Sequence, residues 1–174
     1  QTLRNGIWSE GFGQGNFSLK LRGKTLGIIG FGRIGQEVAR IARGFGMKIL
    51  AIRKTPRPHP HALVMGLDSL EMLLRSSTFL VISCSLTNAT EGLISRKEFE
   101  IMAPSTILIN IARSRIVDED ALYQALLEKR IAGAASDVWY QYPRDPSIEL
   151  QTPSNLAFQR LDNIVMTPHR ASYD

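Results

Sequence analysis

Residues 23–42, GKTLGIIGFGRIGQEVARIA, run from a short apolar segment through three glycines into a helical repeat. The glycines, Gly30, Gly32 and Gly35, are spaced G-x-G-x-x-G between the end of an expected strand and the start of an expected helix. Each answers a physical need, for Gly30 allows the tight turn, Gly32 lets a pyrophosphate approach the backbone, and Gly35 lets the helix lie close to the strand. The first amides of that helix, those of Arg33 and Ile34 among them, then face the phosphates with a favourable dipole. The stretch therefore predicts a dinucleotide-binding turn on a parallel sheet.

Working outward, further apolar runs occur at residues 48–52, 78–83, 106–109, 132–136 and 163–166, beside the first at 25–29. They are short and hardly alternate, as expected of strands buried on both faces of a parallel sheet. Helical patterns lie between them. Ile34, Val38, Ile41 and Ala42 recur at three and four; so do Leu70, Leu73 and Leu74; residues 118–130 carry Ala121, Leu122, Ala125 and Leu126 behind an acidic first turn. Ser95 and Glu98 form a capping-box pattern ahead of Phe99, and Pro104 closes that segment. Residues 55–61 and 140–156 read as loops. Strand and helix alternating in this way predict a doubly wound (Rossmann) α/β domain, a parallel sheet with helices on both faces.

The chain has 174 residues and 44% hydrophobic content, enough for one globular core. No run of 18 uncharged apolar residues is present, so no membrane span is expected. The net charge of +5 is scattered apart from Arg53, Lys54 and Arg57, a pattern that argues against a nucleic-acid partner. The lone Cys84 cannot form an internal disulfide and fits a reducing, cytoplasmic setting. A start at Gln1 with neither Met nor a leader-like stretch suggests a portion of something longer.

The end of the second strand bears on which dinucleotide binds. An acid there would accept hydrogen bonds from the adenosine ribose of NAD. That place, 18 positions after Gly35, holds Arg53, followed by Lys54. A guanidinium binds a 2′-phosphate through charge-assisted hydrogen bonds, so NADP(H) is the preferred cofactor, with NAD(H) also accommodated. No metal is expected. Two further segments end strands at the edge where open α/β sheets bind ligands: ILINIARSRIVDEDAL places Arg113 after one, and NIVMTPHRAS places His169 after the last.

Five motifs in order, LRGKTLGIIGFGRIG, LTNATEGLI, LINIARSRIVDEDAL, GAASDVW and TPH, resemble the nucleotide-binding domain of the D-isomer-specific 2-hydroxyacid dehydrogenases, over about residues 19–171. The resemblance implies a two-domain protein in which residues 1–18 end a crossover from a substrate domain and residues 172–174 begin the return. It implies that Arg113 binds the carboxylate and carbonyl of a small 2-oxoacid, and that His169 exchanges a proton with the substrate oxygen during hydride transfer. Asp137 would accept from the nicotinamide carboxamide; Ser85 and Thr90 would line the phosphate and ribose cleft; Ile111, Ala112 and Ala171 would back the cofactor. A homodimer through this domain is also implied. The substrate domain being absent from this chain, the chain alone is expected to be inactive.

The sequence departs from the family in ASDVWYQYPRDP, residues 135–146. Tyr142 stands where most members have a glutamate that pairs with the histidine. A phenol can orient the imidazole through a hydrogen bond but supplies no charge to raise its pKa. Ser85 likewise replaces a usual proline. Two alternatives stay open. Trp139 and the nearby amide of Gln141 resemble the formate dehydrogenase branch, which moves hydride without acid or base help, and other relatives are nucleotide-sensing corepressors. Trp139 and Tyr140 also read as cleft packing.

Overall fold

The computed structural model describes residues 20–142 and 152–171. The expected crossover segment, the terminal residues 172–174 and residues 143–151 of the second expected loop lie outside the described residues. In chain order the elements are β1 (Thr25–Ile29), α1 (Arg33–Gly44), β2 (Lys48–Ile52), β3 (Leu63–Met65), α2 (Leu70–Ser76), β4 (Phe79–Ile82), α3 (Arg96–Ile101), β5 (Ile107–Asn110), α4 (Glu119–Leu127), β6 (Gly133–Ser136) and β7 (Ile164–Met166). Among the described residues the strands form a single sheet, order β3-β2-β1-β4-β5-β6-β7, with every neighbouring pair parallel. The doubly wound fold is therefore present. Its order reverses between β1 and β4, and ligands of such sheets bind in the crevice at that reversal.

Both sheet faces are covered, which explains the unalternated strands. Ile28 of β1 joins one core cluster with Ala39, Ala42, Ile49 and Ala51, whereas its neighbour Ile29 joins the other with Leu73, Leu74, Phe99 and Leu126. Thr106 closes the sheet floor, its hydroxyl donating to the Ser77 carbonyl at 3.0 Å. The capping box holds: Glu98 accepts from the Ser95 amide at 2.9 Å and the Ser95 hydroxyl at 2.6 Å. Asp118 caps α4 by accepting the Ala121 amide at 2.8 Å.

Two features differ from the sequence reading. β3 falls in a segment with no expected strand; three residues are too few to show a period, and Leu63 is exposed. On α1 the apolar repeat marks the helix but only part of its buried face, for Ala42 is buried and Val38 half-buried while the two isoleucines are not. Ile34 is 59% exposed and Ile41 50%, and beside Ala42 the helix buries Gly35 and Ala39, which the repeat left out. Small residues win because the helix lies so close to the sheet: a Cβ on Gly35 would run into the Gly30 carbonyl oxygen.

Candidate active site

The glycine turn is built by contacts from both sides of the strand reversal. Gly30 adopts φ +93°, donates its amide to the Ile52 carbonyl at 3.0 Å, and accepts the Ser83 hydroxyl at 2.7 Å. A Cβ there would stand 2.5 Å from backbone atoms of Cys84, so only glycine fits without strain. At Gly32 a Cβ would meet nothing within 4 Å. α1 starts at Arg33 with no side-chain cap and no acid in its first turn. An open approach to uncapped amides fits the pyrophosphate of a dinucleotide.

Arg53 leaves β2 half-buried, its amide donating to the Met65 carbonyl at 3.0 Å, and Lys54 beside it is exposed. This places the basic pair one strand away from the glycine turn. Ser85 and Thr90 share a turn after β4. The Thr90 hydroxyl donates to the Ser85 carbonyl at 2.7 Å and accepts the Thr87 amide at 2.8 Å, so it first of all holds that turn together.

β5 delivers Arg113 through a turn that Asn110 organises. Asn110 is buried; its Oδ1 accepts the Ala112 amide at 3.0 Å and its Nδ2 donates to the Arg113 carbonyl at 3.1 Å. The Ile111 amide donates to the Ile82 carbonyl at 3.3 Å, tying the turn to β4. Arg113 is exposed, with one guanidinium nitrogen donating to the Ala112 carbonyl at 2.6 Å. It forms no ion pair among the described residues. A fork of donors at the carboxyl edge is suited to a planar carboxylate.

β6 and β7 deliver the remaining groups as one assembly. Asp137, only 6% exposed, accepts the Thr167 hydroxyl at 2.5 Å, the Arg170 amide at 3.0 Å and the Ala171 amide at 2.8 Å. Desolvation pushes its carboxyl up, but these three hydrogen bonds and the nearby His169 outweigh it and hold it below the ordinary carboxylate value. The segment so clamped carries His169 in the left-handed region, φ 56°. The resemblance implied a nicotinamide partner for Asp137; in the structure its carboxylate already fastens the histidine loop.

That clamp gives a pH-dependence with a definite sign. A carboxyl whose folded pKa is lowered contributes stability above its unfolded pKa, and loses it as pH falls through the folded value. Asp137→Asn is therefore expected to cost about 1–3 kcal/mol at neutral pH and to flatten the acid-side loss of stability between about pH 5 and 2. Denaturant unfolding across that range checks it; an unchanged acid limb would mean that the clamp carries no charge-dependent stability.

The aromatic residues after Asp137 divide into two roles. Trp139 and Tyr140 pack around Phe158, which also meets Tyr123, with ring centroids 5.2–6.4 Å apart. The Trp139 indole N–H donates to the Thr167 carbonyl at 2.8 Å, and the Tyr140 hydroxyl donates to the Val117 carbonyl at 2.9 Å. Burial first, then the acids Glu119 and Asp118, push the Tyr140 phenol far up. Tyr142 is 48% exposed, and its ring lies 5.4 Å from that of His169, tilted by 52°. Its hydroxyl accepts the Trp139 amide at 3.3 Å, so the pair meets ring to ring and not through the expected hydroxyl bond. Gln141 donates its side-chain amide to Asn155 at 2.5 Å. Among the described residues no group of His, Cys, Asp and Glu could hold a metal ion, and no helix is long and apolar enough to cross a membrane.

Asn110, Thr167 and Phe158 do positional work that sequence reasoning missed. Asn110 offered one signal, a polar residue closing an apolar strand; the others become legible only through contacts distant in the chain.

Residues 1–171 match the family described as D-isomer specific 2-hydroxyacid dehydrogenase, NAD binding domain. The chain belongs to this family. Among curated 2-hydroxyacid dehydrogenase relatives, glyoxylate reductase of Thermococcus gammatolerans is 44% identical over 151 residues, covering 86% of this chain and 42% of the relative. The acyclic imino acid reductase Bsp5, solved with NADPH and D-Arg, superposes with a TM-score of 0.83 at 30% identity, covering 99% of this chain and 51% of that one. The D-isomer specific 2-hydroxyacid dehydrogenase of Lactobacillus delbrueckii ssp. bulgaricus, solved with NAD, gives 0.81 at 28% identity over 97% of this chain and 51% of that one. The chain thus spans about half the length of these family members or less.

Proposed function

We propose that the protein containing this chain is an NAD(P)-dependent oxidoreductase of 2-oxoacid and D-2-hydroxyacid pairs, with this chain as its nucleotide-binding domain. The observation that carries this reading is the shared placement of Arg113 and His169 at the carboxyl ends of β5 and β7, on the edge that begins with the glycine turn. Bound reduced nicotinamide supplies the hydride. Gly30, Gly32, Gly35 and the first amides of α1 hold its pyrophosphate, and Ile111, Ala112 and Ala171 stand beside the nicotinamide end. Arg113 grips the substrate carboxylate and polarises the carbonyl. His169 gives its proton to the oxygen that becomes a hydroxyl, and removes it in the reverse direction.

A second domain closes the cleft, entered and left through residues 1–18 and 172–174, and the protein is a cytoplasmic homodimer. Substrate discrimination lies largely with that second domain. Since the Thermococcus gammatolerans relative is named for glyoxylate, a panel of 2-oxoacids beginning with glyoxylate, given to the full-length protein with NADPH, tests the reading; cofactor binding without turnover of any member would overturn it.

Arg53 sets the cofactor preference. Arg53→Ala is expected to weaken NADPH binding by about 10–100-fold, the worth of a charge-assisted hydrogen-bond pair, while leaving NADH binding nearly as it was. Quenching of tryptophan fluorescence by each nucleotide measures this. Equal losses for both nucleotides would remove Arg53 from the 2′-phosphate site.

A further inference from the structure

The loop after Arg53, residues 54–61, reads KTPRPHPH and carries Lys54, Arg57 and two histidines but no acid. Pro56, Pro58 and Pro60 fix their own φ and hold Thr55, Arg57 and His59 extended, so the loop has little freedom left to lose when a ligand binds. Lys54, Arg57 and His61 are exposed, whereas His59 is half-buried. Its ring meets that of Phe31 edge to face, with centroids 4.9 Å apart. Phe31 is the buried residue between Gly30 and Gly32. Arg53 is tied to the same turn from the strand side, for the carbonyl of its neighbour Ile52 accepts the Gly30 amide at 3.0 Å. Arg53 and His59 therefore flank one glycine turn.

A second contact orients the imidazole. The His61 amide donates to His59 Nδ1 at 3.3 Å. A ring nitrogen that accepts carries no proton, so the ring proton sits on Nε2, and protonating Nδ1 would keep it there. Nε2 is thus a donor in either charge state, and it has no hydrogen-bond partner among the described residues. His59 and Arg57 also line a hollow of about 400 Å³ between the loop and β3, and none of the described residues around it is an acid.

We propose that His59 is a specificity-determining residue of the cofactor site, its Nε2–H donating to the 2′-phosphate of NADP(H) beside the Arg53 guanidinium. It rests on the reading that Arg53 receives that phosphate. A phosphate monoester presents three acceptor oxygens, and a guanidinium fork meets two of them. The third needs a donor from another direction, which a ring seated on Phe31 supplies. NADH has only a ribose hydroxyl at this place, an uncharged acceptor that gains far less from the same N–H.

Calorimetry on the full-length protein with NADPH, NADH, adenosine 2′,5′-bisphosphate and adenosine 5′-monophosphate tests this. His59→Phe keeps a ring against Phe31 and removes the donor. It is expected to weaken NADPH and the bisphosphate by about 10-fold, the scale of one hydrogen bond to a charged group, and to leave NADH and the monophosphate nearly as they were. His59→Gln, which keeps an N–H near the reach of Nε2, is expected to recover most of the loss. Equal losses for all four ligands would assign His59 to seating the glycine turn and overturn the proposal, as would no loss for any of them. Discrimination that Arg53→Ala abolishes and His59→Phe leaves intact would overturn this proposal alone. A wild type that binds the bisphosphate no tighter than the monophosphate would overturn the Arg53 reading with it.

Discussion

Replacing Arg113 by alanine in the full-length protein is expected to lower kcat/KM for a 2-oxoacid by about 10²–10³-fold, the scale for losing a donor aimed at developing negative charge. The side chain is exposed at the end of β5, and its one internal bond, to the Ala112 carbonyl, leaves the rest of the fork open. Asn110 fixes the turn through backbone groups, so the variant keeps the turn and loses only the donors. Lysine at 113 is expected to recover part of the loss, since it restores the charge without the bidentate geometry. Steady-state kinetics alongside nucleotide binding separates the effects: a loss confined to nucleotide affinity would place Arg113 outside the substrate site.

Phe158→Ala is expected to cost about 3–5 kcal/mol of stability, as truncation of a fully buried aromatic does. Phe158 has no exposed surface, and the rings of Tyr123, Trp139 and Tyr140 all rest against it. The consequence reaches the site, because Trp139 holds the Thr167 carbonyl two residues before His169. Urea unfolding measures the stability; a cost below about 1 kcal/mol would mean that the cluster collapses around the void. Leucine at 158 keeps more of the volume and is expected to cost less.

Much of this molecule was readable from local pattern. The runs at 25–29 and 48–52 coincide with β1 and β2, because strands buried on both faces must be continuously apolar. The glycine turn was legible because Gly30 and Gly35 answer backbone and packing demands set by nearest neighbours. β3 was not legible, since a three-residue edge strand is defined by its partner β2 and not by its own period. The exposed Ile34 and Ile41 show the same limit on α1: hydrophobic spacing reports a helix, whereas the face that meets the sheet is chosen by size.

At the site, residue types at strand ends pointed to Arg113 and His169, but their support is tertiary. Asp137 reaches the 167–171 segment across more than 30 positions of chain, and no local spacing encodes that contact. The motif position of Tyr142 implies a place beside His169, and the structure sets the two rings in contact. The direction of its hydroxyl, toward the Trp139 amide, depends on the turn between them.

The proposed function requires this domain to present a reduced nicotinamide to the C2 carbon of a small acid held by Arg113. NADPH carrying deuterium at the transferable C4 position, turned over by the full-length protein with a 2-oxoacid, tests it most directly through mass spectrometry of the product. One deuterium bound to C2 of the 2-hydroxyacid is the expected result. NADPH oxidation that leaves C2 without deuterium would contradict it.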